Sequence, residues 1–308
     1  LADRAALLAK ADLLTDMVGE FPELQGIMGG YYAEHDGEAP EVVAAIRGQY
    51  VNRRGESEEA ENLIGDALLL ADRAETLVGI WSVGGKPTGD KDPYALRRHA
   101  LTIINSFELV MAFSPDGTLR LRDLLRQTAA TFTPPVADRV IDEVETFIYE
   151  RCFHQLAGLF DARAVDAVVA PRPALHEVVA RVRAVLEFLA LPEAPALAAA
   201  NKRVGNILKK SGEAVPGQVD DALLVEPAER ALAGALADVG AEADRDYDAG
   251  RYAESLRRLA AMKGPVDTFF DTVMVNADDP ALRANRLALL ARLHETMNRV
   301  ADLSRLAA

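Results

Sequence analysis

Within residues 280–306, Leu287, Leu290, Leu293, Met297 and Val300 recur at intervals of three and four. That spacing returns an apolar side chain to one side of an α-helix at every turn. A strand, whose side chains alternate every second residue, cannot gather them. Arg286, Arg292 and Arg299 are expected on the rest of the circumference. The same period sets Leu175, Val178, Val182, Val185 and Leu189 on one stripe, bracketed by Pro171, Pro173, Pro192 and Pro195. No strand-period stretch of useful length and no repeat at a fixed period is present. Ala and Leu are prominent and aromatic residues make up only 6%, which favours helices over sheets. The fold class is therefore read as all-α, in two bundles joined near residues 168–175.

Further helices are expected over residues 2–20, 41–50 (opened by Pro40), 62–81, 119–131, 136–159, 162–170 (capped by Asp161), 196–210, 226–246, 252–259 and 265–275. The first is apolar nearly all round, through Leu7, Leu8, Leu13, Leu14, Met17 and Val18, and is expected to be buried. Phe21–Pro22 and the glycines from 26 to 30 should interrupt it. Residues 53–61 read as a polar loop, and 84–92 as a glycine-rich one. Asp92 suits an N-cap and Pro93 a first helical position, for a helix running to about Met111.

No apolar run approaches the roughly 18 residues that span a bilayer, and residues 1–10 carry early charges without a cleavage-site pattern. The first residue is Leu, and the expectation is a piece of a longer polypeptide. Cys152 is the only cysteine; a buried, small apolar role in a reducing cytoplasm is expected. The net charge of −14, taken alone, argues against nucleic-acid binding, which needs a basic surface. It leaves room for a local basic patch.

The loop "GGKPTGDK" spaces Gly84 and Gly89 like a phosphate-binding loop, but Asp90 stands where Lys is needed, and no strand precedes it. The five histidines are scattered, without an i, i+4 pair, and no nucleophile elbow occurs. No catalytic or metal-ligating residue is assigned. Cations do cluster: Arg97 with Arg98, Arg257 and Arg258 with Lys263, and Lys202, Arg203, Lys209 and Lys210 with Asn201 and Asn206. On a helix, 202, 206, 209 and 210 share one face with Arg203 beside it. This strip is either a solvated helix face or a surface for phosphate and base-edge contacts.

Three stretches resemble the β subunit of bacterial heterotetrameric glycyl-tRNA synthetase: "RAALLAKADLLTDMVGEFPELQGIMGGYYAEHDGE", "GGKPTGDKDPYALRRHALTII" and "VDTFFDTVMVNADDPALRANRLALLARLHETMNRVADLSRL". The shorter "ALAAANKRVGNILKKS" supports them, and the resemblance runs from about residue 2 to 306. It implies the C-terminal half of such a subunit: an HD-like helical domain at 1–115 with a degenerate metal site, a helical connector at 116–169, and a DALR-type helical anticodon-binding bundle at 170–308. It implies tRNA recognition in support of ATP-dependent charging of glycine tRNA by an α-subunit catalytic core, with ATP and Mg used by that partner and no cofactor in this fragment. The implied partners are glycine tRNA, the α subunit and the remainder of the β subunit, in the cytoplasm and without a membrane. The alternatives are an HD-type metal-dependent phosphohydrolase and a helical scaffold without RNA affinity.

Under the resemblance, Lys202, Arg203, Asn206, Lys209 and Lys210 become candidate tRNA contacts, since anticodon bases are read splayed, by stacking and hydrogen bonding. Arg283, Asn285 and Arg286 either face solvent, bridge helices or touch RNA. Lys91, Arg97 and Arg98 open a helix whose N-terminus would favour a phosphate, or pair locally with Asp90 and Asp92. Phe269 and Phe270 are expected in the core. The adjacent His35 and Asp36 spell an HD metal pair, but that motif sits in an apolar helix. The matching positions in "RAALLAKADL" are Ala9 and Lys10, with only the later acid retained, as Asp72. His35–Asp36 is read as loop structure or a polar contact.

Overall fold

The structure is a computed structural model that describes residues 1–50, 63–112, 119–211 and 217–307; the polar loop expected at 53–61 lies outside the described residues. It is all-α. Among the described residues the sole sheet-like feature is an isolated bridge between Thr88 and Lys91, and no helix is long and apolar enough to cross a membrane. The chain divides into two compact units. One holds Leu1–Cys152 with Ala174–His176, the other Phe153–Pro173 with Glu177–Ala308.

The first unit contains α1 (Ala2–Leu8), α2 (Asp16–Glu20), α3 (Ile27–His35), α4 (Pro40–Gly48), α5 (Leu63–Ser82), α6 (Leu96–Ala112), α7 (Leu121–Ala130) and most of α8 (Asp138–Ala157). Helix α5 is its axis, packed by α1, α4, α6 and α7 through buried Leu69, Leu70, Ala74, Leu77 and Val78. Helices α1, α3 and α4 pool Ala5, Ala33, Val42, Val43, Ala45 and Ile46 in one cluster.

The continuous helix expected over residues 2–20 is broken. After α1 the chain makes a 3-10 turn at Ala11–Leu14 and restarts as α2. The cause is Asp12, which turns inward and is buried. Its Oδ2 accepts the N–H groups of Gly26 at 2.6 Å and Gly29 at 3.2 Å. It thereby supplies α3 with an N-terminal acceptor from a distant part of the chain. The residues facing inward here are small: Ala5 in α1 and Ala9 just after it. Leu7 and Leu14, expected inside, are 74% and 90% exposed. The interruption expected at Phe21–Pro22 is present, since α2 ends at Glu20, and Gly26, at φ of 78°, turns the chain into α3; Gly29 and Gly30 lie within that helix. A Cβ on Gly30 would sit 2.3 Å from Arg47 Cγ, so these glycines serve close helix approach rather than a turn.

The start of α6 also differs from expectation. Pro93 and Tyr94 occupy a turn, and the helix begins at Leu96. Asp92 still caps it, at longer range, accepting from Leu96 N at 2.8 Å and Arg97 N at 2.9 Å. Gly84, with φ of 85°, ends α5. Its N–H and that of Gly85 return to the carbonyls of Trp81 and Ile80, the paired closure that favours glycine. The loop that mimics a phosphate-binding sequence is thus a helix stop.

The second unit contains α9 (Ala162–Val169), α10 (Val178–Leu189), α11 (Ala194–Ser211), α12 (Pro227–Asp248), α13 (Tyr252–Arg258), α14 (Lys263–Thr272) and α15 (Pro280–Met297). Asp161 caps α9 as expected, accepting from Arg163 N and Ala164 N. The C-terminal helix is shorter than its apolar period suggests. It stops at Met297, and Leu303–Leu306 forms a 3-10 turn. Asn298 stops it: its Oδ1 accepts from Leu303 N, while its amide and that of buried Asn201 exchange hydrogen bonds of 2.8 and 3.1 Å. Asn201 is therefore a helix-to-helix tie between α11 and the end of α15, with no amide to offer outside.

Candidate nucleic-acid interface

Helix α11 buries Leu197, Ala198, Asn201 and Val204 and turns Lys202, Arg203, Asn206, Lys209 and Lys210 to solvent. At 3.6 residues per turn these five occupy about 120° of the helix circumference. None of the four cations pairs with a described carboxylate. Several other arginines of the unit behave differently. Arg181, Arg251, Arg258, Arg286, Arg299 and Arg305 are all ion-paired. Lys209 and Lys210 end the helix, where they also complement its dipole. Helix α11 can lie close to α15 because position 205 is glycine: a Cβ there would be 3.3 Å from His294 Nε2. Burial lowers the His294 pKa against a smaller opposing pull from Asp302, so the imidazole at this contact favours its neutral form.

Beside the strip is a cavity of about 470 Å³. The Arg203 guanidinium lies over the Phe270 ring, 4.1 Å from its centroid. Phe270 in turn meets Phe269 edge-on, with centroids 5.5 Å apart. Phe269 is fully buried, as expected. Phe270 is only half-buried and lines the cavity, contrary to the expected core role. Neighbouring positions on a helix diverge by about 100°, so one of two adjacent phenylalanines must leave the core. That was the available signal.

The remaining sequence-derived candidates separate. Arg286 is only 6% exposed; its Nε donates to Glu229 Oε1 at 2.5 Å and its NH1 to the Met274 carbonyl at 2.7 Å. Glu229 is fully buried, and its other oxygen accepts from Glu226 N at 2.7 Å, closing the capping box that starts α12. Asn285 is also buried; its amide accepts from Asp220 N at 2.7 Å and donates to Asp220 O at 2.9 Å. Both residues therefore bridge parts of the unit and present nothing to RNA. Arg283, partly buried, donates to the Ala277 carbonyl at 3.1 Å. Together Arg283 and Arg286 hold the 274–277 segment from beneath.

Lys91, Arg97 and Arg98 belong to the first unit. Lys91 exchanges backbone hydrogen bonds with Thr88, and Arg97 donates to the Gly89 carbonyl; Lys91 and Arg98 are exposed. The phosphate expected at the N-terminus of α6 has no place there, because the Asp92 carboxylate already accepts the donors it would need. No ion pair of Arg97 with Asp90 or Asp92 is present.

Ala9, Lys10 and Asp72, the positions aligned with a metal pair and its later acid, do come together, around a cavity of about 580 Å³. Lys10 Nζ pairs with Asp72 Oδ1 at 2.5 Å, and Arg73 with Asp72 Oδ2 at 2.7 Å. Both carboxylate oxygens thus face cationic side chains. Among the described residues no three His, Cys, Asp or Glu side chains gather to hold a metal ion. His35 ends α3 and Asp36 follows it, both exposed.

Residues 1–170 match the family model for the glycyl-tRNA synthetase beta subunit, and residues 197–304 match the DALR anticodon binding domain. Helical architecture and matched domains together define the class: a component of an aminoacyl-tRNA synthetase. The chain is 52% identical over 311 residues to the glycine–tRNA ligase beta subunit of Methylobacillus flagellatus, covering 100% of this chain and 43% of that protein. It is 54% identical over 307 residues to the same-named protein of Leptothrix cholodnii, covering 99% and 42%. It belongs to the glycyl-tRNA synthetase β-subunit family, and spans less than half the length of these curated relatives.

Proposed function

We propose that this chain is the tRNA-recognition portion of a glycyl-tRNA synthetase β subunit, supporting ATP-dependent charging of glycine tRNA by an α-subunit catalytic core. On this reading residues 1–115 form an HD-like helical domain without metal chemistry, 116–169 a connector and 170–308 the anticodon-binding part. ATP and Mg act on the α subunit, and the chain works in the cytoplasm with that subunit and the remainder of the β subunit. The observation that carries the proposal is the strip on α11: Lys202, Arg203, Lys209 and Lys210, exposed and without described carboxylate partners, in a chain of net charge −14. An acidic body with one cationic stripe repels RNA except where the stripe leads.

The test is a titration of fluorescent glycine tRNA with the chain over a salt series. Replacing Lys202, Lys209 and Lys210 together by Gln should reduce the slope of log affinity against log salt by about two to three, since each phosphate contact contributes about 0.7–0.9. An unchanged slope with wild-type affinity would leave a helical scaffold as the better reading.

A further inference from the structure

Resting on the proposed tRNA-recognition role, we infer that the cavity beside α11 is a base pocket. It takes one unstacked nucleobase bearing an exocyclic amino group, cytosine, adenine or guanine, from the bound RNA. Arg203 and Phe270 are its stacking platform and Asp271 its hydrogen-bond acceptor.

Three observations converge. The first is the platform. A guanidinium stacked 4.1 Å from a ring centroid presents flat, sequence-tolerant surfaces of the kind on which bases stack. Phe270 is steadied from behind by the buried Phe269 ring.

The second is preorganisation. The far wall, residues 273–276, is irregular backbone, but it is held. Buried Arg286 binds the Met274 carbonyl at 2.7 Å, Arg283 binds the Ala277 carbonyl at 3.1 Å, and Ala277 N donates to Val275 O at 3.0 Å. The Met274 side chain nevertheless stands 73% exposed, an apolar flap beside the platform. A wall fixed by two arginines is built to keep a cavity open.

The third is polarity. Asp271 lines the cavity and is exposed. Its carboxylate repels a phosphate, which leaves the RNA backbone to the adjacent lysines. The Asp271 carboxylate accepts hydrogen bonds only, and a base amino group is a complementary donor. The cavity volume of about 470 Å³ accommodates a single base.

The test uses the whole chain and labelled glycine tRNA transcripts in which each anticodon-loop base is replaced in turn. Wild-type protein should show one loop position at which exchange of an amino-bearing base for uracil weakens binding. F270L, which keeps the apolar bulk, should weaken binding of the native transcript about fivefold, the low end of one base–aromatic stack, without altering the salt slope. D271N, on an exposed side chain, should erase the discrimination at that position while leaving the thermal midpoint unchanged. If both variants bind every transcript as wild type does, while the triple Lys→Gln variant has lost affinity, the pocket is not a base site and the strip still stands. If neither pocket nor strip variants change binding, the tRNA-recognition reading falls as well.

Discussion

The buried Arg286–Glu229 pair gives the sharpest test of how the second unit is held. Substituting Arg286 by Met keeps the length and apolar volume of the stem but leaves Glu229, fully buried, without its cation. Breaking a buried pair from one side costs about 3–5 kcal/mol, because a desolvated charge remains. For a unit of this size each kcal/mol lowers the midpoint by about 2–4 °C. The expected fall is therefore on the order of 6–20 °C. Substituting Glu229 by Met as well removes the stranded charge. The double variant should recover most of the loss, short of roughly 1 kcal/mol for the capping box that Glu229 closes on Glu226. Thermal unfolding followed by far-ultraviolet circular dichroism on wild type, both singles and the double gives the coupling energy directly. A single-variant cost below about 1 kcal/mol, typical of a solvent-exposed pair, would refute the claim that this interaction is desolvated.

Other outcomes follow from groups already placed. Asp12→Ala removes the acceptor shared by Gly26 and Gly29, and urea unfolding should show a loss of about 1.5–3 kcal/mol, the range for hydrogen bonds to a charged group. His294 has a lowered folded pKa, so as pH falls below about 6.5 the unfolded chain takes up a proton that the folded chain resists, and stability drops. His294→Gln should flatten that decline between pH 6.5 and 5 in thermal melts, and an equally steep profile would count against a half-buried neutral imidazole. Burial raises the Cys152 thiol to about 11. Maleimide labelling at pH 8 should thus be slow in the native protein and fast in urea.

The helical architecture was legible because Leu287, Leu290, Leu293, Met297 and Val300 declare their period, and all five are buried. Composition misled at the N-terminus. Leu7 and Leu14 carry the apolar weight there, yet Ala5 and Ala9 face inward, and it takes the burial of Asp12 to show why. Local pattern cannot reveal a carboxylate that caps a helix fourteen residues further on. The strip on α11 was visible as a charge cluster at helical spacing. Arg286 and Asn285 look equally polar in the sequence, and their partners, Glu229 and Asp220, lie 57 and 65 residues away. Phe270 was hidden for the converse reason: an aromatic in an apolar run reads as core until its neighbour has taken the core position.

The pairing of Glu229 with Arg286 also fixes an order of events. The carboxylate leaves the ribosome 57 residues before its guanidinium, an interval of about 3–11 s at ordinary synthesis rates. Until α15 arrives, the start of α12 carries a charge that it cannot bury alone. Closure of this part of the second unit consequently waits for α15, which also anchors Asp220 and the Met274 carbonyl. Synthesis that stalls before Arg286 leaves the wall of the Phe270 cavity without its anchor.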